Sequence, residues 1–138
     1  MLDEDGYVRR TSWSGKEGET AVHTACHDLD LDRLMLLMAQ RHDPWALTDS
    51  GTPPVGVLHR YWAATTSRDR LLQCVDVLFV DDTGRLRPAG PARVDIILRQ
   101  CSWVFRQAPH MDDAFGARIR LYVSALGLAG AAHARSSF

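Results

Sequence analysis

The chain has 138 residues, enough for one domain and too few for two comfortable ones. Hydrophobic residues make up 46% and charged residues 24%, which allows a real core and excludes a disordered tail. Formal net charge is −1, so no overall field draws nucleic acid or an anionic membrane. Lys16 is the single lysine among 16 basic residues, a bias best explained by codon usage. Three widely spaced cysteines, Cys26, Cys74 and Cys101, form no Cys-x-x-Cys pair, which fits a reducing, intracellular and most simply cytoplasmic setting. The acidic start, Met1 to Gly6, lacks a signal-peptide core, and no apolar run reaches the length of a membrane span.

In chain order, residues 1–17 read as a lead-in arm, with Tyr7, Val8 and Trp13 available to pack on the first hairpin. Thr20 offers a hydroxyl to the free amides of a helix start. A first helix is expected over Ala21–Asp28, with Val22, Ala25 and Cys26 inward, and a second over Leu31–Gln40. In the second, Leu31, Leu34, Leu37 and Met38 follow the helical period, and Pro44 is expected to stop it. Residues 48–54, rich in threonine, serine, glycine and proline, form a turn cluster. A third helix is expected near Val55–Ala63, and a fourth after Ser67 carries Leu71, Leu72, Val75, Leu78 and Phe79. Asp81–Gly84 closes it, and Arg85–Pro91 is a loop. Two longer helical patterns end the chain. One runs from Val94 through Phe105 to Pro109, the other from Phe115 to Leu126, with Gly127 and Gly130 as its stop and a frayed tail at 131–138. The whole is expected to be all-α, a succession of about three helix pairs joined by turns, in which each hairpin buries its apolar face on a neighbour.

The segment Gly18-x-Thr20-Ala21-Val22-His23-x-Ala25-Cys26 resembles the ankyrin-repeat signature, a glycine followed by Thr-Pro-Leu-His-x-Ala-Ala. Leu34 falls on the family's aliphatic position in the second helix, Leu37 and Met38 on its Leu-Leu pair, and Asp43 on its turn aspartate. Gly51 lies thirty-three residues after Gly18, the ankyrin period. Ala21 replaces the usual proline. Leu29-Asp30 replaces the Gly-His between the helices, so that turn is expected to differ or to bear strain. The second unit opens well at Gly51-Thr52-Pro53-Pro54, but Leu58-His59 comes three positions late and its second helix later still. The last pair has no signature and reads as an atypical cap. The resemblance implies a short solenoid over residues 18–130 that binds another protein through its turn tips and first-helix face.

Carried onto this chain, the implied contact residues are Glu19, His27, Asp28, Gln40, Asp49, Ser50 and Thr52. Trp45 joins them as a partly exposed hot spot, with packing over the hairpin as the alternative. The patch is acidic and favours a basic partner segment. No cofactor is implied. The same resemblance gives His23 a structural role, bonding the turn threonine and backbone of adjacent repeats.

Other chemistry finds little support. His23, Cys26 and His27 share one helical turn, yet a zinc site would need a fourth ligand from His42 or His59. Asp28, Asp30 and Asp32 resemble the start of a calcium loop, which fails at Arg33 and Ala39, so the aspartates are read as helix caps. His110 beside Asp112 and Asp113 is the one acid–base candidate, and no nucleophile, phosphate-loop or dinucleotide motif occurs, so the chain is not read as an enzyme. The arginines of the last third read as a solvated face rather than a nucleic-acid surface. The rival readings are a structural component of a larger assembly, such as a virion or scaffold, in which the chain is a compact helical bundle, and the zinc site.

Overall fold

A computed structural model describes residues 6–8, 18–62, 66–90, 94–100 and 114–136. Among them every regular element is a helix: α1 (Ala21–His27), α2 (Leu31–Ala39), α3 (Pro54–Trp62), α4 (Arg68–Phe79), α5 (described over 94–100) and α6 (Ala114–Ser136). Val80 and Leu86 form an isolated antiparallel bridge, and Val8 also stands in a bridge position, its amide on the Arg41 carbonyl at 2.8 Å.

α1 begins in a reciprocal cap. The Thr20 hydroxyl accepts from the His23 amide, and the His23 ring accepts from the Thr20 amide. Val22, His23, Ala25 and Cys26 are buried, and the two small residues let neighbouring backbones approach. α1 ends in a Schellman turn, with Leu29 N–H on the Cys26 carbonyl at 3.1 Å and Asp30 N–H on the Ala25 carbonyl at 3.0 Å. The left-handed position of that turn suits glycine, and here Leu29 occupies it at φ 50°. The strain expected from Leu29-Asp30 is therefore present. Asp30 then caps α2 by accepting from the Arg33 amide at 3.1 Å.

α2 buries Leu34, Leu37 and Met38. It stops before Pro44 is reached, in a second Schellman turn. Arg41 N–H bonds the Met38 carbonyl and His42 N–H the Leu37 carbonyl, both at 3.0 Å, with Arg41 at φ 64°. Pro44 itself is buried in the following loop.

α3 starts at Pro54, thirty-three residues after α1 starts at Ala21. Val55 and Leu58 take the buried places of Val22 and Ala25, and Gly56 takes the place of His23. The second unit is thus in register at its start, and His59 is not the counterpart of His23. Four extra residues separate the starts of α3 and α4. Leu71, Cys74 and Val75 accordingly sit thirty-seven residues after Leu34, Leu37 and Met38. Within each pair the helices pack together, α1 on α2 and α3 on α4. Between pairs α1 packs on α3 and α2 on α4, so the two hairpins lie side by side.

α6 packs on α4. Ile119 and Leu126 are buried, and Tyr122 stacks on Phe79 with ring centroids 4.9 Å apart and planes 9° from parallel. Arg118 Nη1 donates to both oxygens of Asp76 at 2.5 Å, and the Tyr122 hydroxyl donates to the same carboxylate. Burial and this bond push the Tyr122 phenol up to about 12. Gly127 and Gly130 do not end α6, which continues to Ser136. A glycine inside a helix costs only about 1 kcal/mol relative to alanine, and this stretch is rich in alanine. The helix thus runs past the expected stop at Gly127 and Gly130. Trp13, Cys101, Val104, Phe105, Pro109, His110, Asp112 and Asp113 lie outside the described residues.

Holding a non-glycine residue in the left-handed region costs roughly 1–2 kcal/mol. Arg41 is exposed and Leu29 half-buried against the core. Arg41→Gly should therefore raise stability by about 0.5–1 kcal/mol in urea titrations. Leu29→Gly should change it little, because relief of strain is offset by lost apolar burial.

Candidate functional site

The turn tips are built from the backbone outward. In the 48–52 turn, Thr48 N–H donates to the Thr52 carbonyl at 3.0 Å and Gly51 N–H to the Thr48 carbonyl at 2.9 Å. Gly51 has φ 80°, and its counterpart Gly18 has φ 77°. The hydroxyls of Thr48, Ser50 and Thr52 form a chain with spacings of 3.0 and 3.3 Å. Arg60 Nη2 donates to the Thr52 hydroxyl at 3.4 Å. Gly18 runs directly beside Asp49, and a Cβ placed on Gly18 would run into the Asp49 carboxylate, 2.9 Å from its Cγ. Glycine at 18 is thus needed for its φ, and a Cβ there would also oblige the exposed Asp49 side chain to shift.

His23 joins the two tips. Its Nε2 lies 2.9 Å from the Thr52 carbonyl, and its Nδ1 lies 3.1 Å from the Thr20 amide nitrogen. A carbonyl only accepts and an amide N–H only donates, so the proton belongs on Nε2 and Nδ1 accepts. The ring is fully buried. It therefore ties the start of α1 to the turn that precedes α3, a contact twenty-nine residues apart in sequence.

This arrangement gathers Glu19, Asp49, Ser50 and Thr52 at one end of the hairpins. Asp49 and Ser50 are exposed, while Glu19 and Thr52 are half-buried. Gln40 is exposed just past the end of α2, which in an antiparallel pair lies by the start of α1. His27 and Asp28 are exposed at the opposite end of α1, about 10 Å away along the helix axis. The residues implied by the resemblance thus fall into a tip group and a distal pair.

Trp45 requires a correction. It is 5% exposed, with its ring edge-on to Phe79 at 5.1 Å and its Nε1–H donating to the Pro88 carbonyl at 3.4 Å. The Tyr7 hydroxyl donates to the same carbonyl at 2.5 Å. The indole turns inward onto the Phe79 ring, and the Pro88 carbonyl supplies its acceptor. Local sequence around Trp45 holds no sign of those distant partners. Tyr7 and Trp45 are thus core residues, as is every aromatic in the Trp45–Phe79 contact.

The zinc reading loses its geometry. Both His23 nitrogens face protein partners. Cys26 is fully buried, and burial together with the neighbouring Cys74 thiol pushes its pKa far up, while His27 is exposed. Burial likewise pushes the Cys74 thiol up to about 11. Among the described residues no group of three or more histidine, cysteine, aspartate or glutamate side chains could hold a metal. Asp30 caps α2 as expected, whereas Asp81 caps a turn. It accepts from the Thr83 hydroxyl and amide and from the Arg85 amide, and the Thr83 hydroxyl above all holds its carboxyl below the usual range. Three of the described late arginines are engaged separately, Arg99 with Asp95 at 2.5 Å, Arg118 with Asp76, and Arg87 Nε with the Val77 carbonyl at 2.7 Å.

Sequence reasoning missed an open groove of about 640 Å³ on the second-helix side. Met35, Met38, Val77 and Val80 form its apolar floor, with Arg41 and Arg87 among its walls. Its lining comes from the Tyr7 region, α2, α4 and the 80–88 hairpin, so no single stretch of sequence carries it. Among the described residues, no helix is long and apolar enough to cross a membrane. No protein-family model matches the chain, and no curated protein or solved structure matches it.

Two measurements check these contacts. Thr20→Val should cost about 1 kcal/mol and His23→Leu about 2–4 kcal/mol, with the double variant less than additive because both act through one cap. Denaturant titration of the four proteins gives the coupling. Trp45→Ala should cost about 3–5 kcal/mol, read as a large fall in melting temperature.

Proposed function

We propose that this chain is an ankyrin-like module that holds another protein through its turn tips. The observation that carries the reading is the repeat itself. Two helices begin thirty-three residues apart, each behind a positive-φ glycine, and the buried His23 bonds across to the Thr52 carbonyl of the next turn. The side-by-side packing of the hairpins supports a solenoid of that type, with α6 as its atypical outer element. A lattice of this kind holds its tips rigid in backbone while exposing Asp49 and Ser50, which suits recognition more than turnover.

The contact surface in this reading is Glu19, Asp49, Ser50 and Thr52, with Gln40 beside them and His27 and Asp28 extending it along α1. Trp45 is removed from it. Glu19 and Asp49 give the tips a negative character, so a basic partner segment is favoured, mainly through encounter rate. The free thiols at Cys26 and Cys74 suit a reducing, intracellular setting.

A photo-crosslinking amino acid placed at Ser50 should trap a discrete partner in cells of the source organism, whereas one placed at Arg33, on exposed α2, should not. Glu19→Arg with Asp49→Arg should remove the Ser50 adduct while leaving the melting temperature within a few degrees. Equal adducts from both positions, or an adduct that survives the charge reversal, would overturn the reading.

A further inference from the structure

Each turn-tip glycine has a side chain from a later unit of the chain beside it. A Cβ placed on Gly18 would run into the Asp49 carboxylate, and one placed on Gly51 would lie 3.6 Å from Gln100 Nε2 and 3.9 Å from its Oε1. Gly18 and Gly51 are counterparts in the repeat, at φ 77° and 80°. Gln100, on α5, therefore stands to the second tip as Asp49 stands to the first. The last pair has no turn of the repeat type, yet its helix brings a polar side chain to the place where a third tip would lie. Gln100 is half-buried, and among the described residues its carboxamide has no hydrogen-bond partner. The line of groups then runs Glu19, Asp49, Gln100, two carboxylates followed by a neutral amide. Packed helices lie about 8–10 Å apart, and three residues of extended chain span about 10 Å. One step along the tips thus matches three residues of an extended partner.

We infer that Gln100 is a further member of the tip surface and sets the charge of one position in the bound segment. Basic residues three apart face Glu19 and Asp49, and an uncharged polar residue three further on faces Gln100. A carboxamide gives a third cation no opposite charge, but it meets a polar group with both donor and acceptor. This inference rests on the reading of the turn tips given above and adds the partner's register to it.

The test is fluorescence anisotropy with the full chain and three labelled heptapeptides. Positions one, four and seven are arginine throughout in the first, arginine, arginine and asparagine in the second, and the reverse order in the third, with glycine between. The parent should bind the triarginine peptide no more than about twofold tighter than the better asparagine peptide. Gln100→Glu should make the triarginine peptide the tighter by several-fold, and Gln100→Arg should make it the weaker. Arg33→Glu, an equivalent change of charge on exposed α2, should leave the preference as in the parent. All variants should melt like the parent. Equal shifts from Gln100→Glu and Arg33→Glu, or none from either Gln100 variant, would overturn the inference. Asp49→Arg separates the two readings, since it should weaken all three peptides. If it does and the Gln100 variants leave the preference unmoved, the inference alone fails. If it weakens none, the tip reading fails and takes the inference with it.

Discussion

One imidazole ring organises the first half of this protein. His23 accepts from the backbone that starts α1 and donates to the backbone that precedes α3, and it does so with no access to solvent. A buried ring with two nitrogens can meet both demands only in one tautomer and one rotamer. The two turns are therefore fixed against each other to within hydrogen-bond tolerance. The short length of α1, seven residues, makes this more consequential. So brief a helix has little stability of its own, and its position is set by the cap and by the helices that pack on it. The exposed groups at the tips inherit their spacing from that single contact.

Much of this is legible in the residues themselves. The Thr20–His23 cap, the paired glycines and the inward Leu34, Leu37 and Met38 are local signals, because capping and helical periodicity act over three or four residues. The strain at Leu29 is legible for the same reason, as a side chain standing where the turn requires φ > 0. The matching strain at Arg41 is masked, since Pro44 nearby offers a sufficient stop. His59 misleads because a Leu-His pair outweighs helix register when only the motif is read. The helix start at Pro54 shows that the repeat keeps its period and that the extra residues come later, before α4.

What sequence hides is set by distance along the chain. Trp45 reads as a partly exposed turn residue with packing over the hairpin as the alternative, and its contacts with Phe79 and Pro88 decide for the core. The Asp76–Arg118–Tyr122 cluster joins residues more than forty positions apart, so neither helix announces it. The groove behind Met35 draws on four segments. Each case is a tertiary partner overriding a local preference, the usual limit on reading burial from pattern. The continuation of α6 past two glycines is a milder instance, in which a sum of favourable neighbours outweighs a breaker.

The carbonyl of Pro88 has a consequence for how the protein is made. A single oxygen fastens Tyr7 and Trp45, and the first of these stands eighty-one residues upstream. A ribosome delivers residues in order, and α1 and α2 emerge long before that acceptor does. During the interval water stands in for the Pro88 carbonyl at the indole and the phenol. The packing of the first hairpin is therefore completed only once a segment near position 88 has left the ribosome.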